Sequence, residues 1–287
     1  MKKRVLITGG AGFIGSHLAD VLLKGGYEVR ALDSLEPQVH GEGAGRPGYL
    51  DPRVDLVHGD VRHRDDVEKA LDGCPVVVHF AAAVGVGQSM YEIERYTSVN
   101  AMGAAVLLQT VLDRRNDVER MLVASSMSIY GEGLYSCPEC GSTAPRLRSA
   151  EQLARREWEV RCPECGSPCT PLPTPESKPL YPTSIYAINK RDHEEMFLSF
   201  GEAYDIPATA MRFFNVYGER QALSNPYTGV GAIFASRLLN GKPPVIFEDG
   251  GQSRDFVHVG DVARACAMAL ECPEAAGEVF NVGTGKS

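Results

Sequence analysis

The sequence is short of tryptophan, of long apolar runs and of positive charge. Trp158 is the single tryptophan in 287 residues. No stretch approaches the roughly 18 consecutive apolar residues of a membrane helix, so no spanning segment and no membrane partner is expected. The opening MKKRVLITGG is basic at its start, but its apolar run is brief and ends in glycines, unlike a secretory leader. A cytoplasmic chain with reduced cysteines is the expectation that follows. Lys and Arg number 29 against 37 Asp and Glu, a net charge of −8. General nucleic-acid binders are usually basic, so no nucleic-acid partner is expected. The closing GKS is no phosphate loop, because the glycine needed five residues before Gly285 is Phe280.

What is present is a rhythm of short apolar runs and helical stretches. RVLITGG, YEVRALD, VDLVHGDV, VVVHFAA, VERMLVASS and ATAMRFFNV read as strands. SHLADVLLKGG and NAMGAAVLLQTVLDRR read as helices between them. Apolar strands alternating with helices imply an α/β fold, a doubly wound parallel sheet with helices on both faces. The rhythm breaks between about Leu134 and Pro179, a stretch rich in Pro, Cys and Arg. This reads as an insertion in the loop after the fifth strand, where added length costs little entropy.

The insertion holds the pentapeptide CPECG twice, with Cys137 and Cys140, then Cys162 and Cys165. Two cysteines two residues apart can turn both sulfurs toward one ion, and two such knuckles supply the four thiolates of a structural zinc. A site of that kind is coordinatively full and activates no water. Cys169 nearby is an ambiguous fifth candidate. Cys74, Cys266 and Cys272 are scattered and read as small core hydrophobes.

The first strand runs into TGGAGFIGSH. Gly9, Gly12 and Gly15 are spaced GxxGxxG, and Gly10, Gly12 and Gly15 also fit GxGxxG. Glycines there let the backbone approach a pyrophosphate, at which the following helix aims its N-terminal N–H groups. Asp33 closes the second strand, 18 positions beyond Gly15. A carboxylate at that place binds adenosine ribose hydroxyls and repels the extra phosphate of NADP, which favours NAD. Further on, YAINK places Tyr186 and Lys190 four apart on one helix face. An ammonium near a phenol favours the phenolate and eases proton removal.

Seven segments occur in order: TGGAGFIGSH, GDV at 59–61, HFAA at 79–82, SSMSIYG at 125–131, YAINK, RFFNVYG at 212–218 and RDFVHVGDVA at 254–263. Together they resemble the extended short-chain dehydrogenase/reductases, specifically the NAD-dependent nucleotide-sugar epimerases and dehydratases. The resemblance covers nearly the whole chain outside the cysteine insertion. It implies an NAD-binding Rossmann domain over residues 1–211 and a mainly substrate-binding part over 212–287. It also implies a homodimer, and further helices beyond Ser287.

By the same resemblance, NAD contacts fall on Gly9, Gly12, Phe13, Ile14, Gly15, Asp33, Asp60, Val61, Phe80, Ala81, Ala82, Tyr186, Lys190 and Phe214. Ser126 matches the hydroxyl that hydrogen-bonds the reacting sugar, with Ser128 as the alternative. Tyr186 matches the base, and Lys190 its partner. Asn215 and Arg254 match residues that hold the substrate diphosphate. His79 and His258 lie in family motifs and read as structural.

The resemblance also narrows the reaction. Sugar 4,6-dehydratases carry an Asp-Glu or Ser-Glu pair after the catalytic Ser/Thr, and the related decarboxylases a similar Glu. Met127 and Ser128 stand at those positions, and neither protonates a leaving hydroxyl. Epimerisation at C4 remains: the 4-hydroxyl is oxidised, the keto sugar turns, and hydride returns to the other face. AAAVGVGQSMYEI, ASSMSIYGEG and RQALSNPYTGV are similar to bacterial dTDP-L-rhamnose 4-epimerases, which interconvert dTDP-L-rhamnose and dTDP-6-deoxy-L-talose. Val84 and Val86 would then suit a sugar methyl, or merely pack the cofactor loop. UDP-sugar or UDP-uronate 4-epimerisation is the neighbouring alternative. A non-catalytic NAD-binding regulator with a zinc-ribbon interaction module is the alternative of another class.

Overall fold

The computed structural model describes residues 3–114, 117–223 and 229–286. Twelve strands and ten α-helices are named here in chain order. They are β1 (Arg4–Thr8), α1 (Phe13–Lys24), β2 (Glu28–Asp33), α2 (Pro37–His40), β3 (Asp55–His58), α3 (Arg64–Leu71) and β4 (Val76–His79). Next come α4 (Val86–Ser89), α5 (Ile93–Thr97), a π-turn at Ser98–Met102, α6 (Gly103–Asp113), β5 (Arg120–Ser126) and a short 3₁₀ turn at Met127–Tyr130. They continue with β6 (Leu134–Cys137), β7 (Gly141–Thr143), α7 (Ala150–Ala154), β8 (Thr170–Leu172), α8 (Ile185–Tyr204), β9 (Ala208–Phe213) and β10 (Asn215–Tyr217). The last are α9 (Val230–Leu239), β11 (Phe256–His258), α10 (Val259–Glu271) and β12 (Val279–Val282).

Seven strands form one sheet in the order β12-β9-β5-β4-β1-β2-β3. Every pairing in it is parallel. Parallel strands need crossovers, and the helices provide them on both faces. Alternate residues of one strand therefore enter different cores. Val5 and Ile7 pack with Leu18 and Leu22 of α1 and with Val262 and Cys266 of α10. Leu6 packs on the other side with Val67 of α3, Leu107 of α6 and Phe197 of α8. Strand order reverses direction at β1, between β4 and β2. A crevice outside the carboxyl ends of the strands at such a switch point is where ligands bind in sheets of this kind.

Six of these strands are those expected from the sequence. The seventh, β12, pairs with β9. β10 and β11 form a separate parallel pair. The cysteine segment builds its own antiparallel sheet, in the order β7-β6-β8. Its buried cluster consists of Cys137, Cys162 and Cys169, with Tyr135 packed against them. Cys74 and Cys266 are buried as expected, whereas Cys272 is exposed, its thiol directed at Glu274.

Candidate active site

The carboxyl edge of the sheet gathers the candidate residues. The glycine turn follows β1, Asp33 ends β2, Phe80 follows β4, Ser126 ends β5, and Phe214 follows β9. Gly9 has φ +70, and a Cβ there would lie 2.8 Å from the Ala81 nitrogen. A Cβ on Gly15 would lie 2.3 Å from the Gly9 carbonyl oxygen, so helix and turn meet only because it is absent. A Cβ on Gly12 would meet only that same oxygen, at 3.3 Å, which leaves its outer side open. Gly12 precedes α1, which has no side-chain cap and no acid in its first turn. The N–H groups of Phe13, Ile14 and Gly15 start that helix, and an anion fits their orientation and partial positive charge. The cradle thus fits the pyrophosphate of a dinucleotide.

Asp33 is buried at the edge of this cradle. Its Oδ2 accepts from Ala11 N at 2.9 Å and its Oδ1 from Leu35 N at 3.0 Å. His40 stands 3.7 Å from Oδ1, and Tyr49 donates its hydroxyl to the Ala11 carbonyl at 2.8 Å. Neither aromatic side chain was among the expected residues. Each lies more than five positions from the nearest motif, and only the folded loop brings it near. Asp60 is paired with Arg62 at 2.5 Å. Burial alone would raise the Asp60 carboxyl, but hydrogen bonds from Arg62 bring it below its ordinary value. Val61 is buried and touches the site of Gly103 on α6. Ala81 N donates to Thr8 Oγ1, and Phe80 lies edge-on to Phe213 at 5.7 Å. Ala82 follows in the same half-buried loop. One residue on, the Ala83 backbone exchanges two hydrogen bonds with the buried Asn100 of the π-turn. Asn100 went unnoticed in the sequence because its partner is 17 positions away.

α8 begins at a capped end, where Ser184 Oγ accepts from Ala187 N at 3.1 Å. It carries Tyr186 and Lys190, both buried. Burial pushes the Tyr186 phenol up to about 12, and the Ser126 hydroxyl draws it partly back. Ser126 in turn accepts from Ser128 Oγ at 3.0 Å, so the two serines form one hydroxyl pair. The Lys190 ammonium donates to the Ala124 carbonyl at 3.0 Å and faces His193 Nδ1 at 3.4 Å. The first of these contacts holds the Lys190 side chain against β5.

Burial lowers Lys190 from 10.5 to about 7. Between those values the unfolded chain binds a proton that the folded one does not, so folding should be favoured as pH rises. The melting temperature of cofactor-free protein should therefore rise from pH 7 toward pH 10 more steeply than that of Lys190→Met. Parallel profiles would overturn that account.

Behind Lys190 lies a neutral imidazole layer. His79 donates to or accepts from Thr8 Oγ1 at 2.8 Å and stacks on Phe197 at 5.3 Å. Burial first, and the Lys190 charge second, push its pKa down to about 3. His258 caps α10, its Nδ1 accepting from Gly260 N. On the substrate side, Asn215 donates its amide to the Asp255 carbonyl at 3.0 Å and lies 3.6 Å from the Met127 sulfur. Arg254, the next residue before Asp255, is exposed. Phe214 is half-buried beside Gly283. A buried network that no local spacing announced supports this corner. Arg212 pairs with Glu194 and donates to the Tyr130 hydroxyl, which donates to Asn281. Of the segments noted in the sequence, RQALSNPYTGV lies partly outside the described residues, at 224–228.

The four knuckle sulfurs lie within 4.8 Å of one another, with Cys137 and Cys165 at 3.4 Å. A zinc tetrahedron with Zn–S bonds of 2.3 Å has sulfurs about 3.8 Å apart, so the spacing fits. Gly141 and Gly166 close the two pentapeptides at φ +78 and +75, a left-handed turn that glycine adopts without strain. Ser167 chiefly draws the Cys165 thiol down to about 6, while the neighbouring thiols, Cys165 foremost, push Cys140 up to about 12. Cys169 is buried against this set but lies outside it.

The chain is also similar to known proteins along nearly its whole length. A dTDP-L-rhamnose 4-epimerase of Burkholderia thailandensis is 34% identical over 99% of this chain and 77% of its own. A putative UDP-glucose 4-epimerase of Methanocaldococcus jannaschii is also 34% identical, over 98% of this chain and 77% of its own. Among solved structures, a UDP-glucose 4-epimerase of Thermotoga maritima with UDP-glucose superposes with a TM-score of 0.77 at 31% identity. It is matched over 99% of this chain and 77% of that one. The Thermus thermophilus UDP-glucose 4-epimerase in complex with NAD gives a TM-score of 0.74 at 33% identity, over 99% and 78%. The family model described as "NAD dependent epimerase/dehydratase family" matches residues 5–151 and 163–283. Its gap falls inside the cysteine-bearing segment, and the two matched stretches hold the glycine cradle, the Ser126–Tyr186–Lys190 group and the Asn215–Arg254 corner. Sequence, fold and site thus agree that the chain belongs to the NAD-dependent epimerase/dehydratase family.

Proposed function

We propose that the protein is an NAD-dependent nucleotide-sugar 4-epimerase, with a dTDP-linked 6-deoxy-L-sugar of the rhamnose/talose pair as its substrate. The observation that carries the reaction type is the pair Met127 and Ser128 behind Ser126. Ser128 is spent on Ser126 and Met127 lies against Asn215. Neither position offers the carboxylic acid that would expel water from the sugar.

Bound NAD would supply the hydride acceptor and, when oxidised, a positive charge beside the phenol. Gly9, Gly12, Phe13, Ile14 and Gly15 would cradle its pyrophosphate, and Asp33 its adenosine ribose. Asp60, Val61, Phe80, Ala81, Ala82 and Phe214 would line the rest of its groove. Ser126 would hold the sugar 4-hydroxyl and pass its proton toward Tyr186. Lys190 would hold the nicotinamide ribose once it turns from Ala124. After the sugar has turned, hydride would return to the other face of C4 and Tyr186 would give back the proton, so the net redox change is zero.

Asn215 and Arg254 would bind the substrate diphosphate. Val84 and Val86 are half exposed on the loop steadied by Asn100, where apolar side chains suit a sugar methyl. Relatives name both dTDP- and UDP-sugars, so the panel that tests the reading includes both. Protein incubated with each, without added NADH, should interconvert C4 epimers of one of them by NMR. No epimer from any member would sink the reading.

Residues 1–211 would form the NAD-binding domain. Within 212–287, β10, β11, α9 and their loops would carry the sugar nucleotide, while β12 joins the large sheet and α10 packs on it. Met90 just after α4, Ile93 on α5, Met102 of the π-turn and Ile188 on α8 are exposed apolar side chains, and these elements pack together. Such a patch supports a homodimer. The four knuckle cysteines would hold a structural zinc.

Asp33 also makes a cofactor prediction. Its carboxylate would oppose a ribose phosphate at close range. Nucleotide released by denaturation should be NAD, and NADP should support at least about tenfold less turnover. Equal use of NADP would count against this role of Asp33.

A further inference from the structure

The segment between the two knuckles is held by its own side chains. Ser149 caps α7, its Oγ accepting from Gln152 N at 3.2 Å. The buried Gln152 amide donates to the Glu157 and Glu159 carbonyls at 2.9 and 2.7 Å, which folds the return toward Cys162 back onto α7. Between those two carbonyls, Trp158 O accepts from Arg148 Nη1 at 2.9 Å. Arg148 is thus fixed from within the ribbon, and its guanidinium points out of it.

That guanidinium meets a residue 100 positions away. Nη1 and Nη2 donate to the two oxygens of Glu248 at 2.8 and 2.9 Å. Both side chains are only 22% exposed. A two-pronged pair fixes orientation as well as distance, which a lysine contact does not. Glu248 occupies φ +56, a left-handed conformation that a non-glycine residue adopts only when its surroundings hold it. The same carboxylate accepts from Gln252 at 3.0 Å, and Gln252 also donates to the Phe247 carbonyl. The turn 247–252 is thereby closed on itself and tied to the ribbon. Arg254 follows two residues later.

We propose that Arg148 is a positioning residue for substrate: by clamping Glu248 it sets the turn that presents Arg254 to the diphosphate of the nucleotide sugar, and the four-cysteine ribbon is the buttress of that clamp. This rests on the reading of Arg254 as a diphosphate contact. Without the clamp, ordering an exposed turn would oppose binding, because fixing its backbone costs entropy. The diphosphate does not change during chemistry at C4. An interaction with it is equally strong in ground and transition states, so its loss raises KM and leaves kcat.

The test uses Arg148→Ala, Glu248→Ala, the reciprocal swap Arg148→Glu with Glu248→Arg, and Arg254→Ala. The probes are dTDP and UDP binding and turnover of the accepted sugar nucleotide. Arg148→Ala and Glu248→Ala should each raise KM and the diphosphate Kd about tenfold, with kcat within about twofold. The double alanine variant should be no worse than either single one, and the swap should recover most of the loss. Retained NAD and bound metal should be unchanged, which separates positioning from collapse of the ribbon. Unaltered KM in Arg148→Ala, a fall in kcat alone, or no recovery in the swap would each overturn the proposal. So would a loss in Arg148→Ala while Arg254→Ala binds normally. If the unaltered protein binds neither dTDP nor UDP, the reading of the active site itself has failed, and that outcome is recognisable before any variant is made.

Discussion

Tyr186→Phe should lower turnover by about a hundredfold or more while leaving NAD bound. The substitution keeps the ring, which is buried on α8, and removes only the hydroxyl. In the proposed reaction that hydroxyl takes the proton of the sugar 4-hydroxyl. Its environment shows why it needs help. Burial holds the phenol up to about 12, so in cofactor-free protein it is neutral at ordinary pH. A positive charge brought beside it would favour the phenolate; in this structure the Lys190 side chain is engaged with Ala124 and His193. With Tyr186 as the proposed base, cofactor binding and activation of the base would then be coupled. The phenylalanine variant should still co-purify with NAD, because the cradle at Gly9–Gly15 and Asp33 is built on β1, β2 and α1. Turnover within a few fold of normal would overturn the assignment of Tyr186 as base. Ser126→Ala should also impair turnover more than cofactor retention.

What could be read from the sequence follows from how far apart the interacting residues lie. The glycine turn and YAINK are local spacings, and the strand or helix on which each sits is readable from neighbouring apolar residues. Six of the seven strands of the central sheet were legible because each is a short, apolar run. β12 was not, since at the sheet edge only Val282 of its four residues is buried, Val279 and Asn281 being half-buried and Phe280 exposed. The helix expected from Asn100 onward is in fact a π-turn through Met102 followed by α6. That extra residue in the turn points Asn100 at Ala83, a reward no 3.6-residue period encodes. The Arg212–Glu194–Tyr130 network and the Arg148–Glu248 clamp join residues 18 to 100 positions apart. Nothing in either partner's own neighbourhood marks it. The knuckles are the opposite case: their spacing alone foretells four sulfurs in one cluster, and the structure brings them together.

Replacing Cys137 or Cys162 with Ser should release about one zinc per chain and unfold the insertion while the Rossmann sheet persists. The reason lies in what the insertion has for a core. Its buried cluster is three cysteines with one tyrosine against them, around a sheet whose strands are three or four residues long. So little apolar area cannot offset the entropy of ordering the chain between Leu134 and Pro179. Structural zinc in peptides of comparable size contributes on the order of 10 kcal/mol of apparent binding free energy, which is enough. The main sheet has two extensive apolar clusters of its own and does not depend on the insertion. Limited proteolysis of the serine variants should cut first between Leu134 and Pro179, and metal analysis should show the zinc gone. NAD retention should change little. The KM for the sugar nucleotide should rise, since Arg148 would lose the frame that holds it against Glu248. Chelation of the unaltered protein should reproduce the same pattern. A reduced, well-purified protein with no zinc, full protease resistance and full activity would refute the structural metal. So would a reaction rate that tracks a metal-bound water, because four thiolates leave no position for one.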